Sequence, residues 1–413
     1  MSLVGVAAKR IVTGDPARIT AGNPLGIVEN GVVVYDDRSI SWVGPRASAA
    51  QVPIVDYGDR VVTAGLVDAH THAAWVGSRH DEYAVRMAGG DYRAIAAAGG
   101  GILSSYRAVA AASEDEIAET LVARLRRMAN LGVTSCEVKS GYGLDPDGER
   151  KQLRAIEQAR RTAGVPHVVA TYLALHALPE SARASRDHYV LRVASSLVPE
   201  IAEAKLASFV DAYVDQNAFT VDEARIVCES ARRAGLGVRL HVGQFADVGG
   251  AQLCADVGAR SADHVEHIDA EGIAVLARAG VAAVLLPVAS FTLGQAPPPV
   301  AALRAAGVSL VVASDANPGT APSESLPLAM AMAVRMYAMT PAEVLLGATR
   351  LAAASLGLWG AGMRKPRGAL APGARADLVV WDLPHENAIV QPWGGPKTWV
   401  VLRDGLRIGG AAD

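Results

Sequence analysis

Cysteines, excess charge of either sign and long hydrophobic runs are all scarce in this chain of 413 residues. The three cysteines, Cys136, Cys228 and Cys254, form neither a CxxC pair nor the dense framework of a disulfide-stabilised domain, so we expect a reducing compartment. The 39 basic and 42 acidic residues are mixed along the chain and leave a net charge of −3. Because there is no basic stripe, we expect neither a nucleic-acid partner nor an anionic membrane.

The uncharged stretches are too interrupted to predict a membrane span. The longest lies between Arg278 and Arg304 and is broken by Pro287 and by three prolines at 297–299. A span needs about 20 apolar residues in a row, so we interpret this stretch as a buried strand followed by a loop. The first ten residues, MSLVGVAAKR, lack the basic start and apolar segment of a secretory signal. We therefore expect a cytoplasmic protein with no membrane partner.

The two ends of the chain share one pattern and the middle has another. Residues 1–59 and 366–413 contain short β-like runs separated by Gly, Pro and Asp, which predicts one composite β-sandwich domain. In 60–365, apolar strands alternate with helical segments, as in βαβ units. We count eight candidate strands, namely GLVDAHTH, GVTSCEVKS, HVVATYLALH, FVDAYVDQ, GVRLHVG, SADHVEH, AAVLLP and SLVVASD. The predicted fold class is α/β, a (β/α)8 TIM-like barrel with a small β-sandwich domain formed by both termini.

Reactive side chains follow most of these strands. In a (β/α)8 barrel the chemistry collects at the carboxyl ends of the strands. Six of the eight predicted ends carry a histidine or an acid, which packing alone does not explain. These residues are His70 and His72, His176, Asp215, His241, His264 and Asp315.

Four of these side chains predict a metal site. A bare HxH is as compatible with two surface histidines in a loop, but His70 and His72 end the first strand and alternate residues of a strand point to one side. His241 ends the fifth strand and Asp315 the eighth. Three neutral imidazoles and one carboxylate suit a catalytic Zn²⁺ or Fe²⁺ that keeps a position for water. The ion would lower the pKa of that water to about 7, and Asp315 would take its proton.

Two further residues are candidates for catalysis. His264 could hydrogen-bond the hydroxide or a substrate carbonyl, or it could be a core histidine with satisfied hydrogen bonds. Gln244 follows His241 by three residues, where many hydrolytic sites would place a carboxylate. A glutamine can orient a substrate N–H or carbonyl but cannot carry a proton, which would then be moved by Asp315 and His264.

Several longer motifs carry a resemblance to a known family. They are HTHAAWVGSRHDEY, AGGGILSSYRA, CEVKSGYGL, ALHALP, SADHVEH, LLPVASFTLG and SDANPGTAPSES. With them the chain resembles the amidohydrolase superfamily and, within it, the imidazolonepropionase family over essentially its whole length. The resemblance implies hydrolysis of the cyclic amide C–N bond of 4-imidazolone-5-propanoate to N-formimino-L-glutamate, in histidine degradation. It also implies a homodimer and one Zn²⁺ or Fe³⁺ per chain.

The resemblance further implies which residues form the site. The metal ligands would be His70, His72, His241 and Asp315. The substrate would be contacted by Arg79, Tyr142, His176, Asn317, Gly319 and Thr320, with Tyr92 nearby. On physical grounds Arg79 offers a planar fork for the propionate carboxylate, although a surface ion pair with Asp81 or Glu82 is an equally ordinary role for an arginine.

The chain departs from the family pattern at Gln244, where most members carry glutamate. Lys139 follows the second strand, whereas the carboxylated lysine of two-metal amidohydrolases follows the fourth, so we expect one metal and a lysine paired with an acid. Three alternatives remain open: an amidohydrolase acting on another cyclic amide, an aminohydrolase of the cytosine or guanine deaminase kind, and a non-catalytic metal-binding protein. Gln244 argues against the deaminase, because that chemistry commonly uses a glutamate at this place.

Overall fold

The computed structural model describes residues 3–89, 100–394 and 397–411. The described strands form two eight-stranded sheets. The first sheet combines both ends of the chain, with strands β1 (Val4–Val12), β2 (Ile27–Tyr35), β3 (Ile40–Pro45), β4 (Ile54–Asp56), β5 (Val61–Ala64), β14 (Leu378–Trp381), β15 (Thr398–Arg403) and β16 (Leu406–Gly409). The two ends join where β5 pairs antiparallel with β14, and Trp381 Nε1 donates a hydrogen bond of 2.9 Å to Thr63 Oγ1 across that pair.

The second sheet is the barrel. Its strands are parallel and adjacent in chain order, and they are β6 (Leu66–Asp68), β7 (Val133–Lys139), β8 (His167–Leu175), β9 (Phe209–Val214), β10 (Gly237–Val242), β11 (Ser261–His264), β12 (Ala282–Leu285) and β13 (Leu310–Val312). Each lies within one of the eight predicted strands, so the predicted fold class is confirmed. The predicted domain limits, 1–59 plus 366–413 and 60–365, stay a prediction.

Helices follow the barrel strands and cover them. They are α1 (His80–Met87), α2 (Ile102–Ala111), α3 (Glu114–Asn130), α4 (Pro146–Arg160), α5 (Arg186–Arg192), α6 (Val198–Glu203), α7 (Val221–Arg233), α8 (Gly250–Asp256), α9 (Ala270–Ala279), α10 (Pro287–Leu293), α11 (Val300–Ala305), α12 (Leu326–Met336), α13 (Pro341–Gly347) and α14 (Arg350–Ser355). In α3, the buried residues Ile117, Leu121, Leu125 and Met128 recur at helical spacing, and the Ser113 side chain caps the first turn.

The barrel closes at the residues predicted for the metal site. Thr71, after β6, forms a parallel bridge with Ala316, after β13. On either side of this bridge, the Asp315 N–H donates to the His70 carbonyl at 3.0 Å and the His72 N–H donates to the Ala316 carbonyl at 3.0 Å. The main chain therefore ties the HTH segment to the segment that carries Asp315.

The uncharged stretch after Arg278 contains β12, as predicted, but a helix follows it where a loop was expected. Pro287 occupies the first turn of α10, where its missing N–H costs no hydrogen bond. Proline is typical of loops, but at this position it starts a helix. No helix in the described parts of the chain combines the length and apolar character needed to cross a membrane.

His167, the first residue of β8, is expected to make stability depend on pH. Burial, reinforced by the positive charge of Arg367, lowers the pKa of His167 to about 4. An unfolded histidine has a pKa of about 6.5, so the unfolded state binds more protons between these values and stability falls as pH drops from 6.5 towards 4. At pH 5 the loss due to His167 is about 2 kcal/mol.

Urea unfolding at pH 7.5 and pH 5 tests this expectation. The His167→Gln variant should lose about 2 kcal/mol less between the two pH values than the parent protein. If the variant and the parent lose the same free energy of unfolding between these pH values, His167 is not the cause of the pH dependence.

Candidate active site

The carboxyl ends of the barrel strands surround a cavity of about 780 Å³. Ten of the residues predicted for the site line it, namely His72, Arg79, Tyr142, His176, His241, Gln244, His264, Asp315, Asn317 and Thr320. His70 is fully buried, and its ring joins those of the other predicted histidine ligands. Gly319 contacts Arg79 and does not itself line the cavity. Tyr92 lies outside the described residues.

His70, His72 and His241 bring their ring nitrogens together in the form of a metal site. The ligand atoms of the three histidines all lie within 4.8 Å of one another. The Nε2 atoms of His72 and His241 are 3.3 Å apart, and Asp315 Oδ1 lies 3.4 Å from His70 Nε2 and 3.5 Å from His72 Nε2. A tetrahedral ion with bonds of about 2.1 Å holds its ligands about 3.4 Å apart, so these spacings fit.

The protonation and pairing of the histidines also fit a cation. His70 Nδ1 lies 2.7 Å from Asp263 Oδ2, while its Nε2 is buried without a hydrogen-bond partner. Burial, together with neighbouring positive groups such as Lys139, lowers the pKa of all three imidazoles well below the usual value, so they are neutral. Neutral imidazoles whose lone pairs converge in a buried space are suited to bind a metal ion.

Asp315 is the fourth member of this group, and its backbone is strained. Its φ of 55° lies in the left-handed region, and Asn317 Nδ2 donates to the Asp315 carbonyl at 2.7 Å. Residues other than glycine rarely adopt such a conformation, although aspartate does so more readily than most, and such strained residues cluster at functional sites. Burial raises the pKa of Asp315 to about 7, so without a cation nearby its carboxyl group can hold a proton near neutral pH.

His264 faces the same cavity and is backed by an acid. Its φ is 86°, and its Nδ1 lies 3.6 Å from Glu266 Oε2. The other oxygen of Glu266 accepts a hydrogen bond of 2.7 Å from Ser290. Burial alone would lower the pKa of His264, but the Glu266 carboxylate outweighs it and the pKa is raised. His264 is therefore placed to carry an N–H towards the cavity.

Gln244 is held by a residue that the sequence analysis did not single out. Tyr213, near the end of β9, donates its hydroxyl to Gln244 Oε1 at 2.9 Å. Gln295 Nε2 donates to the Gln244 main-chain carbonyl at 2.7 Å. Because the tyrosine uses the amide oxygen, the amide nitrogen is the part of Gln244 that can donate to a ligand.

Arg79 makes the local ion pair that its position suggested and also reaches the cavity. Its Nε donates to Glu82 at 2.8 Å, the local ion pair, while the side chain also lines the cavity. Arg186 is the other arginine among the described residues that line the cavity, but Glu223 binds it through two hydrogen bonds and Ala218 accepts a third. Arg79 is thus the arginine with more of its guanidinium left for an anionic ligand.

The loop that carries Tyr142 is fixed by two side chains of α4. Glu149 accepts the N–H groups of Gly141 and Leu144 at 3.0 and 2.7 Å, and Gln152 accepts the Tyr142 N–H at 3.0 Å. His176 Nδ1 lies 2.7 Å from the Gly141 carbonyl, so it is the protonated nitrogen. The ring of His176 stacks on His72, and the ring of Tyr142 also lies near His72. Both His176 and Tyr142 are therefore beside the metal group.

The Asn-Pro-Gly turn after Asp315 is organised by Asn317. Its Oδ1 accepts the N–H groups of Gly319 and Thr320 at 2.8 and 2.7 Å. A Cβ added to Gly319 would lie 2.2 Å from Arg79 Nη1, so the guanidinium packs where only glycine leaves room. The turn therefore positions Arg79 and Thr320.

Four functional residues are not predicted from the sequence, namely Tyr213 and the acids beside the histidines, Asp211, Asp263 and Glu266. A signal for Asp211 and Asp263 was present, because each is an acid within an apolar barrel strand and a buried acid needs a partner. The partner itself could not be read from the sequence, since His70 and Asp263 are 193 residues apart.

Comparisons with known proteins agree with this geometry. Residues 61–405 match the model of the amidohydrolase family. The imidazolonepropionase of Paracoccus denitrificans is 43% identical over 367 residues, which cover 87% of this chain and 90% of that protein. The imidazolonepropionase of Acidiphilium cryptum is 45% identical over 376 residues, with 90% and 92% covered.

Solved structures share the fold at lower identity. A triazine hydrolase from Arthrobacter aurescens matches with a TM-score of 0.72 at 16% identity, covering 99% of this chain and 95% of that one. An adenosine deaminase from Xanthomonas campestris with bound zinc matches with a TM-score of 0.71 at 19% identity, covering 98% and 93%. The chain belongs to the amidohydrolase family and, within it, to the imidazolonepropionases.

Proposed function

We propose that this protein hydrolyses the ring C–N bond of 4-imidazolone-5-propanoate to give N-formimino-L-glutamate. The observation that carries the proposal is the identity of 43–45% with imidazolonepropionases over about nine-tenths of the chain, together with the histidine group at the barrel mouth. The enzyme is a metal-dependent cyclic amidohydrolase of histidine degradation. We further propose one Zn²⁺ or Fe³⁺ per chain, a homodimer and a cytoplasmic location.

The metal ligands are His70, His72, His241 and Asp315. These residues would hold a metal ion whose Lewis acidity would lower the pKa of a water molecule and favour attack on the ring carbonyl. The ligand histidines are neutral, so their Nε2 lone pairs are available.

The remaining residues hold the substrate and move its protons. Arg79 binds the propionate carboxylate, with Tyr142 and His176 against the ring and Thr320 beside the tail. The water oxygen bonds to the ring carbonyl carbon and gives its proton to Asp315. His264 donates a hydrogen bond to the carbonyl oxygen, where negative charge develops. The ring C–N bond then breaks, and the leaving nitrogen takes its electron pair and the proton from Asp315.

The decisive experiment is an assay on the purified protein. Loss of the ultraviolet absorbance of imidazolonepropionate should follow addition of the zinc- or iron-loaded enzyme. Ammonia release from guanine or cytosine is measured in parallel, because a deaminase is the main competing activity on this fold. Ammonia release without turnover of imidazolonepropionate would overturn the proposal. Gln244 favours the amidohydrolase, since an amide cannot protonate a leaving amine.

Gln244→Glu is expected to retain at least about a tenth of the parent kcat/KM, because Tyr213 can donate to a carboxylate as it does to the amide. Gln244→Met removes the hydrogen-bonding group at nearly the same size and should cost about 10- to 100-fold in kcat/KM. Steady-state kinetics of both variants provide the measurement. An inactive Gln244→Glu variant that still binds metal would show that the amide N–H is indispensable.

A further inference from the structure

Five charged side chains lie inside the barrel beneath the metal group, and every one is fully buried. We call them the buried charge cluster, which consists of Glu137 and Lys139 on β7, Asp211 on β9, Arg239 on β10 and Asp263 on β11. Two positive and three negative groups leave one net negative charge. Charges are rarely buried to this extent unless they are paired, so this cluster needs an explanation beyond packing.

The members of the cluster are paired with one another. Lys139 Nζ lies 2.9 Å from Glu137 Oε2, 2.7 Å from Asp211 Oδ2 and 3.7 Å from Asp263 Oδ2. Arg239 contacts Glu137 at 3.0 Å and Asp263 at 3.5 Å. Lys139 is therefore the common counter-ion of three carboxylates, in agreement with the expected pairing of this lysine with an acid.

Two of the three carboxylates also contact metal ligands. Asp263 Oδ2 is hydrogen-bonded to His70 Nδ1 at 2.7 Å, whereas Asp211 Oδ2 lies 3.0 Å from His241 Nδ1 without the alignment of a hydrogen bond. Asp211 also accepts the His241 main-chain N–H at 3.2 Å. The third carboxylate, Glu137, is directed elsewhere and accepts the Thr171 hydroxyl at 2.5 Å.

We propose that Asp263 and Asp211 are positioning residues that set the affinity of the site for its metal, and that Lys139 holds both in place as their shared counter-ion. Each carboxylate faces the Nδ1 of its histidine, which favours the proton on that nitrogen and leaves the Nε2 lone pair for the ion. Such partners typically contribute a factor of about 10 to 100 in metal affinity. The inference rests on the proposed metal site but does not depend on which substrate is hydrolysed.

The cluster supplies its own matched control. Asp263→Asn, Asp211→Asn and Glu137→Gln each remove one negative charge from the same buried group and leave it neutral overall. Only the two aspartates contact a histidine ligand. The dissociation constant for Zn²⁺ is measured by competition with a chromogenic chelator, and circular dichroism and thermal melting of the apoproteins report folding.

We expect Zn²⁺ to bind about 10- to 100-fold more weakly to each aspartate variant and within about threefold of the parent for Glu137→Gln. Equal losses in all three variants would mean that the cluster acts only through its charge or its packing, and unchanged affinity in the aspartate variants would also overturn the proposal. The zinc-binding measurement contains no substrate, so its result is independent of the turnover assay. A failed turnover assay would overturn the proposed reaction alone.

The role of Lys139 as counter-ion is tested by variants that change the net charge of the buried charge cluster. Lys139→Met leaves three carboxylates facing one arginine and should lower the thermal midpoint of the apoprotein sharply. The double variant Lys139→Met/Glu137→Gln restores one net negative charge, so it should melt at a higher temperature than Lys139→Met alone. If the two substitutions instead destabilise additively, Lys139 is not the counter-ion of these acids.

Discussion

Asp315→Asn is expected to lower kcat by at least about 10³-fold, because general base catalysis alone contributes roughly 10²- to 10⁴-fold. Asparagine preserves the size of the side chain, but its amide cannot accept the proton of the attacking water. The Asp315 carboxylate also lies 3.4 Å from His70 Nε2 and 3.5 Å from His72 Nε2. The measurement is steady-state turnover of imidazolonepropionate, with the metal content of each preparation determined alongside.

Asp68→Asn is the matched control. Asp68 is also a fully buried aspartate at a strand end, and burial raises its pKa to about 7, but its carboxylate binds the main chain and hydroxyl of Ser314. We expect this variant to lose far less activity than Asp315→Asn. If metal-loaded Asp315→Asn keeps more than a tenth of the parent kcat, Asp315 is not the base.

Arg79→Met is expected to raise KM by about 10- to 100-fold and to change kcat much less. A charge-assisted hydrogen bond contributes about 1.5–3 kcal/mol, and this contact is made with the carboxylate tail, away from the bond that breaks. Substrate in which the tail is an uncharged amide should bind the parent and the variant alike. Kinetics with both compounds separate loss of the carboxylate contact from general damage to the site.

Two further variants make this prediction specific. Arg186→Met removes a second arginine that lines the cavity, but Glu223 already neutralises that guanidinium, so KM should change little. Gly319→Ala keeps Arg79 but introduces a Cβ 2.2 Å from its Nη1, so the guanidinium must move and KM should rise. A larger effect of Arg186→Met than of Arg79→Met would place the carboxylate at the other end of the cavity.

The barrel and the metal group could be predicted because their signals are local. Each barrel strand is a short apolar run bounded by turns, and each predicted ligand stands at the end of such a run. The His70–His72 spacing already places both rings on one side of a strand. Proline was less informative, because Pro287 starts a helix where the sequence suggested a loop.

The amino-acid sequence by itself determined the fold class, the family resemblance and ten of the side chains that line the cavity. Only the tertiary structure decided what holds those side chains in place. Asp263 reaches His70 across 193 residues, and Tyr213 reaches Gln244 from a neighbouring strand. Such contacts depend on strand register and on which buried charges must be paired. A linear pattern does not contain this information, because the cost of burying an unpaired charge arises only when the chain has folded.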